Sequence, residues 1–331
     1  MKFYRKNKKL GLIGWWGGKN EGDRYILKTL EKAFGDSFLL YPIETPFDPK
    51  WTTRFLLNRL DFLVVGGGGL FTEAPPKPFD IFDKWGDRIK PPIGFLGVGV
   101  QEIKPEYQSI MKQIIERSEF FIVRDSGSFE LVNHFSSRVM KISDLTFLYP
   151  RYVSKKTEPS TIGVNLRVWN FDERRTYNNS AWCCAINALP WKKETIPLSF
   201  LDGLKDADAM KDIEGERNTA FDIHIYERLR IIIGMRLHSL IFAAQNSIPV
   251  IGIAYTPKVR RFFHEVGLEE FCLGLGEYGR LGEVFNEAIK RSDEIEGILK
   301  RFTLDSNATI ANMIKEVKSK IENYTRNIRG I

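Results

Sequence analysis

The sequence predicts an α/β chain of two doubly wound, parallel-sheet domains facing across a cleft. Three observations predict this class. The chain has 331 residues, too many for one hydrophobic core when compact domains run roughly 100 to 200 residues. Short, nearly uniform apolar runs alternate with amphipathic stretches in both halves, as expected of parallel strands buried on both faces and joined by crossover helices. Residues 149–160 are polar and contain two prolines, the composition of an interdomain linker. The expected domains are therefore 1–150 and 151–331, the second ending in terminal helices able to pack back on the first.

In the first half, strands are expected at 10–15, 38–43, 62–65, 93–97, 120–123 and 139–142, with helices at 22–34, 50–59, 105–117 and 126–135. Asp125 or Ser126 can cap the last of these helices with a side-chain oxygen. In the second half, strands are expected at 162–168, 196–200, 229–233, 250–253 and 271–275, with helices at 237–245, 257–266 and 281–291. The stretch 169–193 shows no clear period, and 293–324 reads as terminal helices. Two Rossmann-like domains of this kind are similar in architecture to the B-type glycosyltransferases, and ligands of such sheets lie at the carboxyl ends of the strands.

Composition narrows the class further. Hydrophobic residues at 43% and charged residues at 27% are ordinary globular values, which argues against a disordered, fibrous or membrane-embedded chain. The longest apolar runs, 93–100 and 248–254, fall well short of the roughly 20 residues a bilayer helix needs. The amino terminus has a basic start but no apolar stretch of signal-peptide length, so a cytoplasmic protein is expected. Cys183, Cys184 and Cys272 form no CxxC pair and no metal-spaced set with the four histidines, so neither a disulfide framework nor a metal site is suggested. A formal charge of +7 suits an anionic partner without choosing among phosphates, nucleic acid and lipid. Lys2, Arg5, Lys6, Lys8 and Lys9 cluster before the first strand. They read as a solvated tail, with a role at the inner face of the membrane left open.

Four constellations carry chemistry. Gly14-Trp15-Trp16-Gly17-Gly18-Lys19-Asn20-Glu21-Gly22-Asp23 runs from a strand end into a helix start. There the backbone can approach a ligand and helix N–H groups can meet an anion or a sugar hydroxyl, although a tight turn needs no more than the same glycines. Its spacing is neither that of a Walker loop nor of a dinucleotide fingerprint. Asp23 is either a favourable charge in the first helical turn or a base. The run Gly66-Gly67-Gly68-Gly69 follows the third strand and is either a close-approach loop or a permissive one. Arg124-Asp125-Ser126-Gly127-Ser128 sits at another strand end, where an arginine fork can hold a carboxylate or phosphate or join surface ion pairs.

The most informative constellation is Gly234-Met235-Arg236-Leu237-His238-Ser239. It places Arg236 and His238 at a helix amino terminus, where cations are disfavoured by the macrodipole. The next strand runs into Tyr255-Thr256-Pro257, a helix-start signal, followed by Lys258, Arg260 and Arg261 in the first turn. Two successive helix starts that break the same preference at strand ends point to a bound anion. A lone histidine beside an apolar run is more often structural, but Arg236 and Lys258 beside it favour a functional role for His238.

These residues resemble the polysaccharide pyruvyl transferase family. The matching marks are Gly17-Gly18-Lys19-Asn20-Glu21-Gly22-Asp23, the run 64–69, Gly97-Val98-Gly99, Arg124-Asp125 with Ser128, and 163–167. The most specific mark is Arg236-Leu237-His238-Ser239 with Ala243, Pro249, Tyr255 and Lys258 downstream. The resemblance implies transfer of the pyruvyl unit of phosphoenolpyruvate to two hydroxyls of a saccharide, with formation of a cyclic ketal and release of phosphate, in polysaccharide biosynthesis. It implies that Arg236, Leu237, His238 and Arg124 hold phosphoenolpyruvate and that Asp23 lies near the acceptor. The residues themselves add Lys258 as a further cation for the donor. Gly17, Gly18, Asn20, Gly67 and Gly68 are expected near the ligand, His238 and Asp23 as proton carriers. Neither a metal nor a cofactor is expected, and the acceptor is a saccharide that is free, nucleotide-linked or lipid-linked. Asp144-Leu145 departs from the family's usual Asp-Pro, and 169–193 matches nothing in it. A nucleotide-sugar glycosyltransferase or epimerase of the same architecture is the rival enzyme, and a nucleic-acid or acidic-lipid binder is the non-enzymatic rival.

Overall fold

A computed structural model describes residues 8–17, 19–44, 51–71, 88–149, 160–169 and 177–329. Most of the expected linker, Gly18, the basic residues Lys2, Arg5 and Lys6, and residues 170–176 lie outside these. The chain divides into two compact units, the first comprising Met1–Gly18, Asp23–Leu148 and Ala308–Ile331, the second Lys19–Gly22 and Tyr149–Asn307.

The first unit holds six parallel strands: β1 (Lys9–Gly14), β2 (Leu39–Glu44), β3 (Phe62–Gly66), β4 (Ile93–Val98), β5 (Phe121–Val123) and β6 (Val139–Lys141). Their order across the sheet is β2-β1-β3-β4-β5-β6. The inner strands are apolar on both faces because helices cover both, so Leu10, Leu12, Val64, Val65, Phe95 and Leu96 are all buried. Edge strand β2 differs: it exposes Leu39 and Tyr41 and carries Pro42, whose missing N–H is tolerated at an edge. The connecting helices are α1 (Glu21–Phe34), α2 (Trp51–Leu57), α3 (Gln108–Arg117) and α4 (Ser126–Val132). Asp125 is the residue that caps α4, accepting from the backbone N–H of Ser128 at 2.7 Å.

The second unit holds β7 (Thr161–Asn165), β8 (Lys192–Thr195), β9 (Ile231–Gly234), β10 (Val250–Ala254) and β11 (Cys272–Gly274), all parallel, in the order β11-β10-β9-β7-β8. Its helices include α5 (Asn179–Asn187), the single turn α6 (Asp206–Ala209), α7 (Leu237–Gln245), α8 (Pro257–Val266) and α9 (Leu281–Lys290). Helix α7 is buried at every residue, which explains its lack of a polar face. Helix α8 begins with Thr256 at the N-cap and Pro257 in its first turn, and ends at Gly267 with a left-handed φ of 76°, the asymmetry that its sequence announces.

Three expectations are corrected. The strand expected at 196–200 is instead β8, four residues earlier, because Pro197 has no N–H for the ladder and the chain turns away. Strand β8 carries no apolar run because it is a polar edge: Lys193 donates to the carbonyls of Asn187 and Leu189 at 2.9 and 2.6 Å. The aperiodic stretch contains α5, capped by Asn178 through a 3.0 Å hydrogen bond from the N–H of Ala181. The terminal helices are one continuous helix, α10 (Ser292–Arg329), whose buried stripe Ile295, Leu299, Thr303, Ser306, Ile310, Ile314, Val317 and Ile321 keeps the helical period throughout.

Candidate active site

Each sheet has one point where the order of connection reverses, between β1 and β3 in the first and between β7 and β9 in the second. Open α/β sheets bind ligands outside the carboxyl ends of the strands at such points. The glycine motifs follow β1 and β3, and Arg236 and His238 follow β9.

In the first unit, Gly67 and Gly68 have φ of 69° and 73°, a conformation that side chains rarely adopt. A Cβ on Gly67 would stand 2.1 Å from Cγ2 of Ile26, and one on Gly68 would stand 3.0 Å from Oδ1 of Asp23. The glycine run thus lies directly against the carboxylate of Asp23. Gly67→Ala is expected to lower stability by about 1–3 kcal/mol through the clash and the strained φ, measurable as a shifted denaturation midpoint. Gly17 is exposed and lies against the Glu44 carboxylate, a flexible side-chain end that a Cβ would displace at little cost.

Arg124, expected either to hold an anion or to join surface ion pairs, stands in ion pairs that are buried. It is 4% exposed and sits between two carboxylates, with Nε 3.4 Å from Asp125 and Nη1 3.7 Å from Asp144. Its guanidinium fills the space left by Gly99, where a Cβ would stand 2.7 Å from Nε, and approaches Gly69. Asp144 in turn accepts from the N–H and hydroxyl of Thr146 at 3.1 and 2.9 Å. A buried cation needs such partners, so Arg124 ties together the ends of β4 and β5 and the segment after β6.

In the second unit, Arg236 is the N-cap of α7 and no side chain caps that helix. Its guanidinium meets Asp206, with Nε 2.8 and 2.7 Å from the two oxygens and Nη2 2.6 Å from Oδ1. The cation read as calling for a bound anion at this helix start therefore already has an internal counter-charge. Asp206, 0% exposed, supplies that charge, and also accepts from the N–H groups of Leu198 and Ser199 at 3.0 and 3.1 Å and from Nδ2 of Asn165 at 3.1 Å. Asn165, at the end of β7, further donates to the carbonyl of Ile196 and accepts from the N–H of Arg236. This lattice fixes where Arg236 stands.

Lys19–Gly22 belong to the same unit. Asn20 forms an antiparallel bridge with Ser199, the N–H of Glu21 donates to Leu198 and the N–H of Phe200 donates to Lys19. Gly22 lies against His238: a Cβ there would stand 2.0 Å from Nδ1 and 2.4 Å from Cγ. His238 is 8% exposed, with its ring 6.0 Å from that of Phe242. Leu237, the first residue of α7, is buried beside it.

The third element of this site is a group that sequence reasoning did not assign. Tyr255 follows β10 and is 7% exposed. The Arg167 guanidinium lies 4.6 Å from its ring centre and the Lys258 ammonium 5.3 Å. Trp169 meets it edge-on at 4.8 Å and also carries Arg167 at 5.0 Å. Burial alone would raise the Tyr255 pKa, but the charges of Lys258, Arg167 and Arg236 and a hydrogen bond with Lys258 outweigh it and lower it to about 7. At the start of α8 the N-cap hydroxyl of Thr256 is buried, with no hydrogen-bond partner among the described residues. Among the described residues, the three cations Arg167, Arg236 and Lys258 with the carboxylate Asp206, beside two helix starts without side-chain caps, form a site suited to a small anion. Among the described residues no group of three or more His, Cys, Asp or Glu could hold a metal ion, and no helix is long and apolar enough to cross a membrane.

Two parallel sheets with reversed connections define a two-domain Rossmann-like α/β protein of the B-type glycosyltransferase kind. The polysaccharide pyruvyl transferase family profile matches residues 22–257, and the chain belongs to that family. No curated protein sequence matches it. Among solved structures it is similar to S. aureus MnaA in complex with UDP, at 13% identity and a TM-score of 0.59 over 95% of this chain and 97% of that one. It is also similar to the UDP-GlcNAc 2-epimerase of Neisseria meningitidis bound to UDP-GlcNAc, at 10% identity and a TM-score of 0.56 over 96% and 100% of the two chains. The UDP-GlcNAc 2-epimerase of Methanocaldococcus jannaschii, bound to UDP-GlcNAc and UDP, follows at 11% identity and a TM-score of 0.57 over 85% and 92%. At these identities the likeness is one of fold.

Proposed function

We propose that this protein transfers the pyruvyl unit of phosphoenolpyruvate to two hydroxyls of a saccharide, forming a cyclic ketal and releasing phosphate. The observation that supports this most is the cluster of Arg167, Arg236 and Lys258 around Tyr255, with His238 two residues beyond Arg236, in a chain of the pyruvyl transferase family. Phosphoenolpyruvate carries a phosphate and a carboxylate close together, and its recognition needs two cations or a cation and a helix end. Lys258 and Arg167 supply the charge that Asp206 does not compensate. Arg236, shared with Asp206, orients the loop that leads into Leu237 and His238. Arg124 is already shared by two carboxylates, so we assign it to holding the glycine loops rather than the donor.

The chemistry requires a proton on C3 of the donor, which makes C2 electrophilic. One sugar hydroxyl adds to C2, phosphate leaves with the electron pair of the C2–O bond, and the second hydroxyl closes the ring. One hydroxyl proton replaces that spent on C3 and the other departs with phosphate. His238, whose imidazole can both give and take a proton, is the group assigned to these transfers, and Asp23 to the acceptor hydroxyl. No cofactor takes part in this scheme. A cytoplasmic site of action is proposed with it, at the inner membrane face if the acceptor is lipid-linked.

Incubation with phosphoenolpyruvate and a panel of free, nucleotide-linked and lipid-linked saccharides, read as phosphate release, tests the proposal. His238→Ala is expected to reduce release roughly a hundredfold to ten-thousandfold, the usual contribution of a positioned acid or base, without change in the thermal transition. A variant as active as the parent would refute the assignment. A nucleotide-sugar glycosyltransferase or epimerase would instead bind a uridine or guanosine nucleotide more tightly than phosphoenolpyruvate, which calorimetry decides.

A further inference from the structure

We propose that anion binding in the second unit is coupled to proton uptake at Tyr255. In the unliganded protein its phenolate is the counter-anion of Arg167, Lys258 and Arg236, and an anion bound to the same cations returns it to the phenol. This rests on reading the cluster as the donor site, and it adds a proton to the binding step.

The charge arrangement carries the inference. Both oxygens of Asp206 are engaged, by Arg236, Asn165 and the N–H groups of Leu198 and Ser199. That carboxylate therefore compensates Arg236 and leaves Arg167 and Lys258 to other partners. Both cations lie against the Tyr255 ring, at 4.6 and 5.3 Å from its centre, in surroundings closed on one side by Trp169. Among the described residues, the charged groups acting on Tyr255 come from three elements: Arg167 after β7, Arg236 at the start of α7 and Lys258 in α8. All three are positive.

A second tyrosine gives the contrast. Tyr177 also meets Arg167, but through its backbone: the Tyr177 hydroxyl donates to the Arg167 carbonyl at 3.2 Å and to Oδ1 of Asn179 at 2.7 Å. Burial, reinforced by Cys183, raises the Tyr177 pKa. At Tyr177 burial prevails although the Arg167 charge acts in the lowering direction there too, whereas at Tyr255 three cations together outweigh burial.

Linkage fixes the sign. A phenol lowered from 10.0 to about 7 by folding contributes stability only above the lower value, increasingly as pH rises through that window, and loses it as pH falls through about 7. An anion that forces the proton back on binds less tightly as pH rises above the midpoint, by about tenfold per pH unit for one proton.

The test uses the full chain and two probes. Sulfate keeps two charges throughout this range, so any proton taken up on its binding belongs to the protein, and phosphoenolpyruvate is the donor itself. The near-ultraviolet tyrosinate band of the parent, minus that of Tyr255→Phe, is expected to show one tyrosinate rising with a midpoint near 7 and disappearing on saturation with either anion. Lys258→Gln keeps the phenol and is expected to move that midpoint upward, which guards against misfolding of the phenylalanine variant. Absence of tyrosinate below the ordinary tyrosine range, or a band unchanged by bound sulfate, overturns the inference. Quenching by sulfate with no binding of phosphoenolpyruvate upholds the proton coupling and sinks the donor reading. Turnover of phosphoenolpyruvate without any tyrosinate signal does the reverse.

Discussion

Asp206→Ala is expected to cost about 3–5 kcal/mol of stability, the range for removing one partner of a buried ion pair. The carboxylate is 0% exposed and meets the Arg236 guanidinium through both oxygens. Its removal also strips acceptors from the N–H groups of Leu198 and Ser199 and from Asn165. Each of those buried donors loses a hydrogen bond that water cannot readily replace. Denaturant unfolding of variant and parent measures the loss, and a change below about 1 kcal/mol would show the pair to behave like a surface salt bridge. Activity should fall with stability, because the same carboxylate sets the position of Arg236 at the start of α7.

Gly22→Ala is expected to abolish most of the activity while leaving the fold intact. The added methyl would stand 2.0 Å from Nδ1 of His238, so the imidazole has to move, and alanine in the first turn of α1 is itself favourable to the helix. If His238 carries protons in the reaction, its displacement reduces phosphate release by roughly a hundredfold to ten-thousandfold. The double variant Gly22→Ala, His238→Ala should be no worse than His238→Ala alone, since both changes remove one function. Multiplying effects in that double variant, or full activity in Gly22→Ala, would show that the contact with His238 is incidental.

The strongest signals in the sequence were local ones. Helices α7 and α8 occur with the bounds expected, because burial at every position, an N-terminal proline and a C-terminal glycine are properties of adjacent residues. The glycine run after β3 was legible for the same reason, and its positive φ at Gly67 and Gly68 is the conformation that glycine alone adopts without strain. Strand β8 was missed because a polar edge strand has no apolar signal, and α5 because its stretch of sequence lacks a period.

The site divides along the same line. Arg167 and Tyr255 stood among the family marks, yet nothing adjacent to either shows that one lies over the other. Asn165, a polar residue closing an apolar run, is a visible local signal of a buried hydrogen-bonding role. Asp206 gave none: it belongs to a single turn of helix, and its partners Asn165 and Arg236 are 41 and 30 residues away in sequence.

The sequence by itself determined the alternation of strands and helices, the strand ends at which charged residues gather, and the family. Periodicity, capping and glycine conformation act over a few residues, so a linear reading captures them. Only the tertiary structure decided which cations are compensated: Asp206 takes Arg236, Asp125 and Asp144 enclose Arg124, and Tyr255 is left facing Arg167 and Lys258. Coulomb interactions depend on distance through space and on burial, and neither quantity is a function of separation along the chain.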